Sequence, residues 1–128
     1  MDTRIDWDLS NRIIGAAIDI HKALGPGLLE IIYEECLCWK LRTLGVAFDR
    51  QKHIPISFEG MTFAGAFRLD LIVEKRIVVE IKSVEQLIPL HKAQLMTYLK
   101  MTGLQCGLLI NFNSYPLKTG IKRVEIPQ

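Results

Sequence analysis

The sequence predicts an α/β fold in which a mixed β-sheet is flanked by helices. Two amphipathic segments come first, within the first 45 residues. Several stretches rich in β-branched and aromatic residues follow, and one helical segment separates two of the most apolar stretches. A strand–helix–strand connection of this kind indicates a right-handed crossover between parallel strands. The other strands are joined by short turns, so we expect them to be antiparallel.

Three helices are predicted, each bounded by residues that start or stop a helix. Asp8 or Ser10 is the expected N-cap of the first, and Pro89 suits the first position of the third. Glycines follow the last residue of each helix, as expected for C-terminal caps. The helices are expected from about Leu9 to Leu24, from about Leu28 to Leu44, and from near Pro89 to Gly103.

The strand signals differ in strength along the chain. Two are weak, and the second of these contains a proline. A long hairpin follows, and after the third helix comes a nearly pure apolar run that should be covered on both faces. The tail could add an edge strand. The segments are Val46–Phe48, His53–Phe58, Met61–Val73, Ile77–Lys82, Cys106–Phe112 and Ile121–Ile126.

Length and composition are those of a soluble globular protein with one domain over residues 1–128. The formal net charge of +2 permits contact with a polyanion but does not argue for it. The chain has no signal peptide and no apolar run near 18 residues, so we expect a cytoplasmic protein without a membrane span. Its three cysteines form no CxxC pair, which favours free thiols over a zinc or iron–sulfur site.

The predicted hairpin carries the residues of greatest chemical interest. Centring its turn on Lys75 places Asp70 opposite Glu80, and alternation along a strand places Lys82 on the same face as Glu80. Directly opposed residues lie about 4.5–5.5 Å apart at Cβ, so the two carboxylates repel each other unless a cation lies between them. Two acids and a lysine on one sheet face suit a divalent metal and an activated water.

A salt-bridge ladder on a solvated face is the alternative interpretation of this hairpin. The residues of the opposite face argue against it because they are all apolar and should anchor the hairpin in a core. Ile72 and Val78 also lie on the charged face, so it is not a plain solvated surface. Both interpretations stay open from this segment alone. The residues assigned to the apolar face are Phe67, Leu69, Leu71, Val73, Ile77, Val79 and Ile81.

Two polar residues fall on helix faces that are otherwise apolar. On a helical wheel Glu30 lies between Leu37 and Leu41, where a carboxylate is costly unless it is paired or bound to metal. Glu30 is therefore a candidate third acid. The alternative is that Glu30 is a first-turn glutamate that the helix dipole favours and that reaches solvent. His21 lies on the apolar side of the first helix, as either a hydrogen-bonded core histidine or a site residue.

Gln94 and Tyr98 lie four residues apart on the third helix and share a face. The amide and the phenol could hold a phosphate or a nucleobase beside the metal. A helix flank that packs on the sheet would show the same pair, and the spacing alone does not separate these possibilities.

Together these segments resemble the GxxExxY proteins, a branch of the PD-(D/E)XK nuclease superfamily, over nearly the whole chain. Gly27 to Tyr33 fits the naming motif and follows His21 and Gly25-Pro26, as is usual in that family. The segments containing Asp70 and Glu80-Ile81-Lys82 look like the nuclease signature. His91–Lys100 resembles the glutamine–tyrosine helix of RecB-like nucleases, and Gly107–Asn113 resembles the strand that follows it.

The resemblance implies a restriction-endonuclease-like core and a magnesium-dependent phosphodiesterase site, with manganese as a substitute. Asp70, Glu80 and the carbonyl of Ile81 would ligate the metal, and Glu30 would complete the acidic set. Lys82 would orient or deprotonate the attacking water, and it should keep its charge beside two carboxylates. The residues expected to position the substrate are Gln94, Tyr98, Arg68 and His21.

A metal-dependent nuclease, with DNA as the expected substrate, is therefore the leading hypothesis. A binding or regulatory protein that keeps the fold without turnover is the main alternative, and a subunit whose partner supplies specificity is another. Some members of the superfamily dimerise to cut both strands, so a homodimer is possible. The sequence does not distinguish among single-stranded DNA, double-stranded DNA, flaps and RNA, between one and two metals, or between endo- and exonuclease action.

Overall fold

The computed structural model describes residues 3–127 and confirms the predicted α/β architecture. Two helices precede three strands, and a third helix connects the third strand to the fourth. A short 3-10 turn, Leu117–Gly120, precedes the last strand. The elements are α1 (Thr3–Leu24), α2 (Glu30–Thr43), β1 (Phe48–Phe58), β2 (Met61–Val73), β3 (Ile77–Lys82), α3 (Pro89–Thr102), β4 (Cys106–Asn111) and β5 (Ile121–Glu125).

The five strands form one mixed sheet in the order β1-β2-β3-β4-β5. Strands β3 and β4 are parallel and are joined by α3, as the predicted crossover requires. The other neighbouring strands are antiparallel. Every residue of β4 is buried, which explains why this strand is an almost uninterrupted apolar run.

The sheet lies between α1 and α2 on one face and α3 on the other. Ile77, Val79 and Ile81 pack into the core formed with α1 and α2. Val78 points the opposite way and packs with Leu95 of α3. Alternation along β3 thus supplies both cores from one strand, and the strand is held from both sides. Among the described residues, no helix combines the length and apolarity that a membrane span requires.

Helix α1 begins at Thr3, well before the predicted start at Leu9, so the predicted N-cap at Asp8 or Ser10 is wrong. Both residues lie inside the helix, and the Ser10 hydroxyl donates to the carbonyl of Trp7. The added turns are held by tertiary contacts, because the Arg76 guanidinium donates to the buried Asp6 carboxylate at 2.7 Å. A contact between residues so far apart in the chain has no local signal.

The two weak strand signals form one continuous strand, β1, at the edge of the sheet. Pro55 lies within it, and the register with β2 shifts between Ile54 and Ile56. An edge strand accommodates a proline because its missing N–H need not bond to a second neighbour.

The predicted apolar face of β2 is wrong for Phe67 and Leu69. Both pack into the core on the α3 side, whereas Leu71 packs into the core on the α1–α2 side. The pairing of β1 with β2 skips Gln51 and Asp70, and Gln51 has a left-handed backbone with φ of 52°. This interruption exchanges the faces of the residues on its two sides. Asp70 lies at the point where the alternation breaks.

Candidate active site

The β2–β3 hairpin has the register that the sequence predicts, centred on Lys75. The last regular pair before the candidate site joins Leu71 to Val79. Glu74 and Lys75 have positive φ angles of 53° and 55°, which suit a tight hairpin turn. Asp70 and Glu80 are the next residues along the two strands, and the regular pairing ends there.

The strands separate at Asp70, whose carboxylate takes over a backbone partner. Its Oδ2 atom accepts a hydrogen bond from the backbone N–H of Ile81 at 2.8 Å. Its Oδ1 atom accepts from the Gln51 side-chain amide at 3.4 Å. Asp70 is thus oriented by donors from β1 and β3, and the carboxylate retains unshared lone pairs.

Glu80 is buried on the same side of the hairpin, with 7% of its surface exposed. Its Oε1 atom is buried without a hydrogen-bond partner. Burial, followed by the charge of Asp70 and a hydrogen bond between the two carboxyl groups, raises the pKa of Glu80 to about 9, although Lys82 opposes the rise. The acid therefore keeps its proton at neutral pH when no cation is bound.

Lys82 and Tyr98 complete the group that the structure brings together. Lys82 is the last residue of β3 and lies near enough to Glu80 for its charge to lower that carboxyl's pKa. Burial raises the pKa of Tyr98, as do the charges of Glu80 and Asp70, so the phenol lies close to both acids. Its ring stacks on Phe67, with centroids 4.5 Å apart.

Gln94 and Arg68 are exposed. Neither side chain makes a hydrogen bond or an ion pair within residues 3–127. Their contact with a substrate stays a prediction.

Glu30 is exposed, so its predicted place on the buried arc of α2 is wrong. The buried face of α2 is formed by Tyr33, Glu34, Leu37, Cys38 and Leu41. Glu30 is the first residue of the helix, which begins beyond the carboxyl edge of the sheet: the Leu28 carbonyl accepts from the hydroxyl of Ser83, just past the end of β3. At this position no sheet surface covers the glutamate.

Sequence reasoning missed Glu34 and Gln51, which support Asp70 from behind. Glu34 is 4% exposed, and its Oε1 atom accepts from the Gln51 amide at 2.7 Å. Its Oε2 atom accepts from Arg50 at the same distance. Glu34 lies one helical turn after Glu30 on the same stripe of the helical wheel, so the wheel identified the right stripe but the wrong turn of the helix. Gln51 lies between the two weak strand signals, and nothing in the sequence there indicates its left-handed backbone or its contact with Asp70.

A further motif residue, Tyr33, holds the segment between α1 and α2. The Tyr33 hydroxyl donates to the Gly25 carbonyl at 2.6 Å and accepts from the Leu28 N–H at 3.1 Å. Its ring stacks on Phe112, with centroids 4.5 Å apart. His21 is buried beside this segment with its Nε2 atom unpartnered, next to Tyr115 and outside the Asp70 group.

Comparison of the chain with protein families agrees with this geometry. The family model of the PD-(D/E)XK nuclease superfamily matches residues 7–124, from α1 to β5. The chain belongs to the PD-(D/E)XK nuclease superfamily. No curated protein and no solved structure matches the chain. The narrower resemblance to GxxExxY proteins stays a prediction.

PD-(D/E)XK proteins typically depend on a metal, and the residues at this site fit magnesium. The carboxylates of Asp70 and Glu80 offer the oxygen ligands that Mg²⁺ prefers, and the unpartnered Oε1 atom of Glu80 is a free ligand atom. Among the described residues, no three His, Cys, Asp or Glu side chains cluster as a metal site, so Glu30 does not join the two acids. Mg²⁺ retains several waters, so two carboxylates suffice.

Proposed function

We propose that this PD-(D/E)XK domain is a magnesium-dependent nuclease that hydrolyses phosphodiester bonds, with DNA as the expected substrate. The observation that carries the proposal is the buried Glu80 carboxyl, whose Oε1 atom has no partner, next to Asp70 and Lys82. Burying a carboxyl oxygen without a hydrogen-bond partner costs free energy. A cation between the two carboxyl groups removes that cost.

Each residue of the group has a role that its position supports. Asp70 and Glu80, with the carbonyl of Ile81, would hold Mg²⁺. When bound, the ion supplies Lewis acidity toward the phosphate and acidifies a water. Lys82 would orient the attacking water and stabilise the charge that develops on the phosphate oxygens. Tyr98 would donate its hydroxyl to the substrate.

The exposed residues take outer roles in the proposal. Arg68 and Gln94 would contact the strand around the site, because their side chains are free to meet it. Glu30 is left out of the proposed metal ligands because it is exposed and joins no acidic cluster within the described chain.

The direct test is a cleavage panel of single-stranded, double-stranded and flapped DNA and of RNA, with Mg²⁺, Mn²⁺ or EDTA. We expect metal-dependent cutting of at least one substrate by the wild-type protein, and its loss in Glu80→Gln and Lys82→Ala. Glu59→Gln and Lys75→Ala remove the same charges at exposed turns and should leave cleavage unchanged. They control for contaminating nuclease and for general charge effects.

Cutting that survives both site substitutions would disprove the assigned centre. If the wild-type protein cuts nothing but binds Mg²⁺, and Asp70→Ala abolishes that binding, the fold serves binding or regulation and the catalytic proposal fails.

A further inference from the structure

A concave feature lies on the α1 side of the molecule, between the end of α1 and the segment that leads into β5. This cavity has a volume of about 460 Å³. His21, Lys22 and Gly25 line one wall, and Tyr115 and Lys118 line the other. The two walls come from distant parts of the chain, so only the fold creates this cavity.

His21 lines this cavity and carries an unsatisfied polar atom. The side chain is only 7% exposed, and its Nε2 atom has no hydrogen-bond partner among the described residues. The Tyr115 ring lies 6.2 Å away, centroid to centroid, and is itself 82% exposed. A buried imidazole nitrogen without a partner needs an explanation, and a bound ligand that approaches past the exposed tyrosine provides one.

The charges around the cavity favour an anion. Lys22 and Lys118 line it, both are exposed, and neither forms an ion pair within residues 3–127. No acidic side chain of the described chain lines the cavity. Asp19, one turn before Lys22, instead pairs with Lys40 at 3.2 Å. Two lysines and one histidine therefore line a cavity to which the described residues contribute no acidic side chain.

The cavity lies at the same edge of the sheet as Lys82. Gly25, in its wall, is tied through the Tyr33 hydroxyl to Leu28, whose carbonyl accepts from Ser83, the residue after Lys82. On the other wall, Ser114 precedes Tyr115 and accepts a hydrogen bond from Asn111, which pairs with Lys82 across β3 and β4. Both walls are thus connected to the end of β3.

We propose that this cavity binds a backbone phosphate of the nucleic-acid strand, beside the phosphate that is cut. Lys22 and Lys118 would neutralise its charge, the His21 Nε2 atom would hydrogen-bond one of its oxygens, and Tyr115 would stack on an adjacent base. The proposal rests on the proposed nuclease function for the identity of its ligand, and it makes the cavity a second, non-catalytic contact on the substrate.

The first test probes the cavity without nucleic acid or metal. Inorganic phosphate is titrated into the ¹⁵N-labelled protein in EDTA, and the imidazole resonances are followed by NMR. We expect saturable shifts for His21 and none for the exposed His53, and a Lys22→Ala/Lys118→Ala double variant should weaken the response. A His21 signal that does not move, or one that moves equally in the double variant, overturns the phosphate site.

The second test measures the affinity for a labelled single-stranded oligonucleotide by fluorescence anisotropy in EDTA. Because Lys22→Ala/Lys118→Ala removes the cations that would neutralise this one phosphate, it should reduce the slope of log affinity against log salt by about 0.7 and weaken binding severalfold at low salt. Lys75→Ala/Lys100→Ala removes the same charge at exposed positions elsewhere and should retain the wild-type slope. Equal slopes in the two double variants overturn the proposal.

These measurements need no turnover, so they separate this proposal from the nuclease proposal. Lys82→Ala should abolish cleavage while leaving the phosphate-induced shift of His21 intact. Loss of the His21 response in Lys82→Ala would mean that the two features are one site, and it would overturn the second contact.

Discussion

The two ends of the β2–β3 hairpin are built in opposite ways. At the turn, Ile72 faces Val78 and Val73 faces Ile77 in regular backbone pairs, and these four side chains are buried. At the other end the pairing stops, and the Asp70 carboxylate accepts the N–H of Ile81. One hairpin can thus supply both a rigid anchor and an open site, because the paired end fixes the register of the unpaired one.

Burial also has opposite effects on the stability of the two ends. Apolar burial stabilises the turn end. At the open end, burial works against Glu80, whose pKa rises to about 9 and whose Oε1 atom has no partner. The stability of the turn end thus offsets the free-energy cost of holding the two acids close together at the open end.

The largest expected effect comes from weakening the anchor. Leu71 is fully buried, and Leu71→Ala should lower the free energy of unfolding by about 2–5 kcal/mol, because it leaves a cavity where the two ends meet. Urea denaturation followed by circular dichroism measures this change. The exposed Leu90→Ala on α3 is the matched control and should cost much less. Equal losses would show that the turn end is not the anchor.

The next effect, taken per pH unit, is the pH dependence of the metal-free protein. The pKa of Glu80 is about 9 in the folded state and 4.5 as the ordinary value, so the folded protein binds the extra proton between these limits. The contribution of Glu80 to the free energy of unfolding should therefore be fully present below the lower limit. It should fall as the pH rises toward the upper limit, by at most about 1.4 kcal/mol per pH unit.

Urea midpoints in EDTA at several pH values measure this trend. Glu80→Gln removes the titrating group and should flatten the contribution, whereas Glu59→Gln should leave it unchanged. A wild-type slope that Glu80→Gln does not reduce would contradict the buried, protonated acid.

A smaller effect is expected from the support behind Asp70. Gln51→Ala removes the amide between Glu34 and Asp70, and it should lower the affinity for Mg²⁺ by about 10-fold, a typical loss for a residue that orients a metal ligand. Calorimetry measures the affinity, and denaturation of the metal-free variant reports any general loss of stability. Gln86→Ala, in the exposed loop before α3, is the control. An unchanged affinity would show that Asp70 needs no such support.

The smallest effect concerns cysteine reactivity beside the turn end of the hairpin. Cys106 pairs with Ile77, and burial raises the pKa of its thiol to about 11. The folded protein should therefore be alkylated by iodoacetamide at the partly exposed Cys36 before Cys106. Mass spectrometry of partially labelled protein gives the order. Faster labelling of Cys106 would mean that the turn end opens readily.

Much of this framework could be predicted from local patterns. The charged turn between two alternating strands sets the register that places Asp70 and Glu80 together. The third helix could be bounded because Pro89 starts it and Gly103, with φ of 75°, ends it. In these cases neighbouring residues carry the whole signal.

The misplaced features depend on contacts between distant parts of the chain. A helical wheel puts Glu30 and Glu34 on the same stripe and carries no information on where the sheet ends along the helix, so it could not tell which of the two is covered. Leu69 packs into the other core where the pairing of β1 with β2 skips Gln51 and Asp70, and no local pattern marks that change.

The central claim is that the open end of the hairpin is a magnesium site formed by Asp70 and Glu80. Calorimetric titration with Mg²⁺ tests it most directly, on the wild-type protein and on Asp70→Asn, Glu80→Gln and Glu30→Gln. We predict one binding event that the first two substitutions abolish and that Glu30→Gln retains. Binding that survives in both Asp70→Asn and Glu80→Gln would contradict the account.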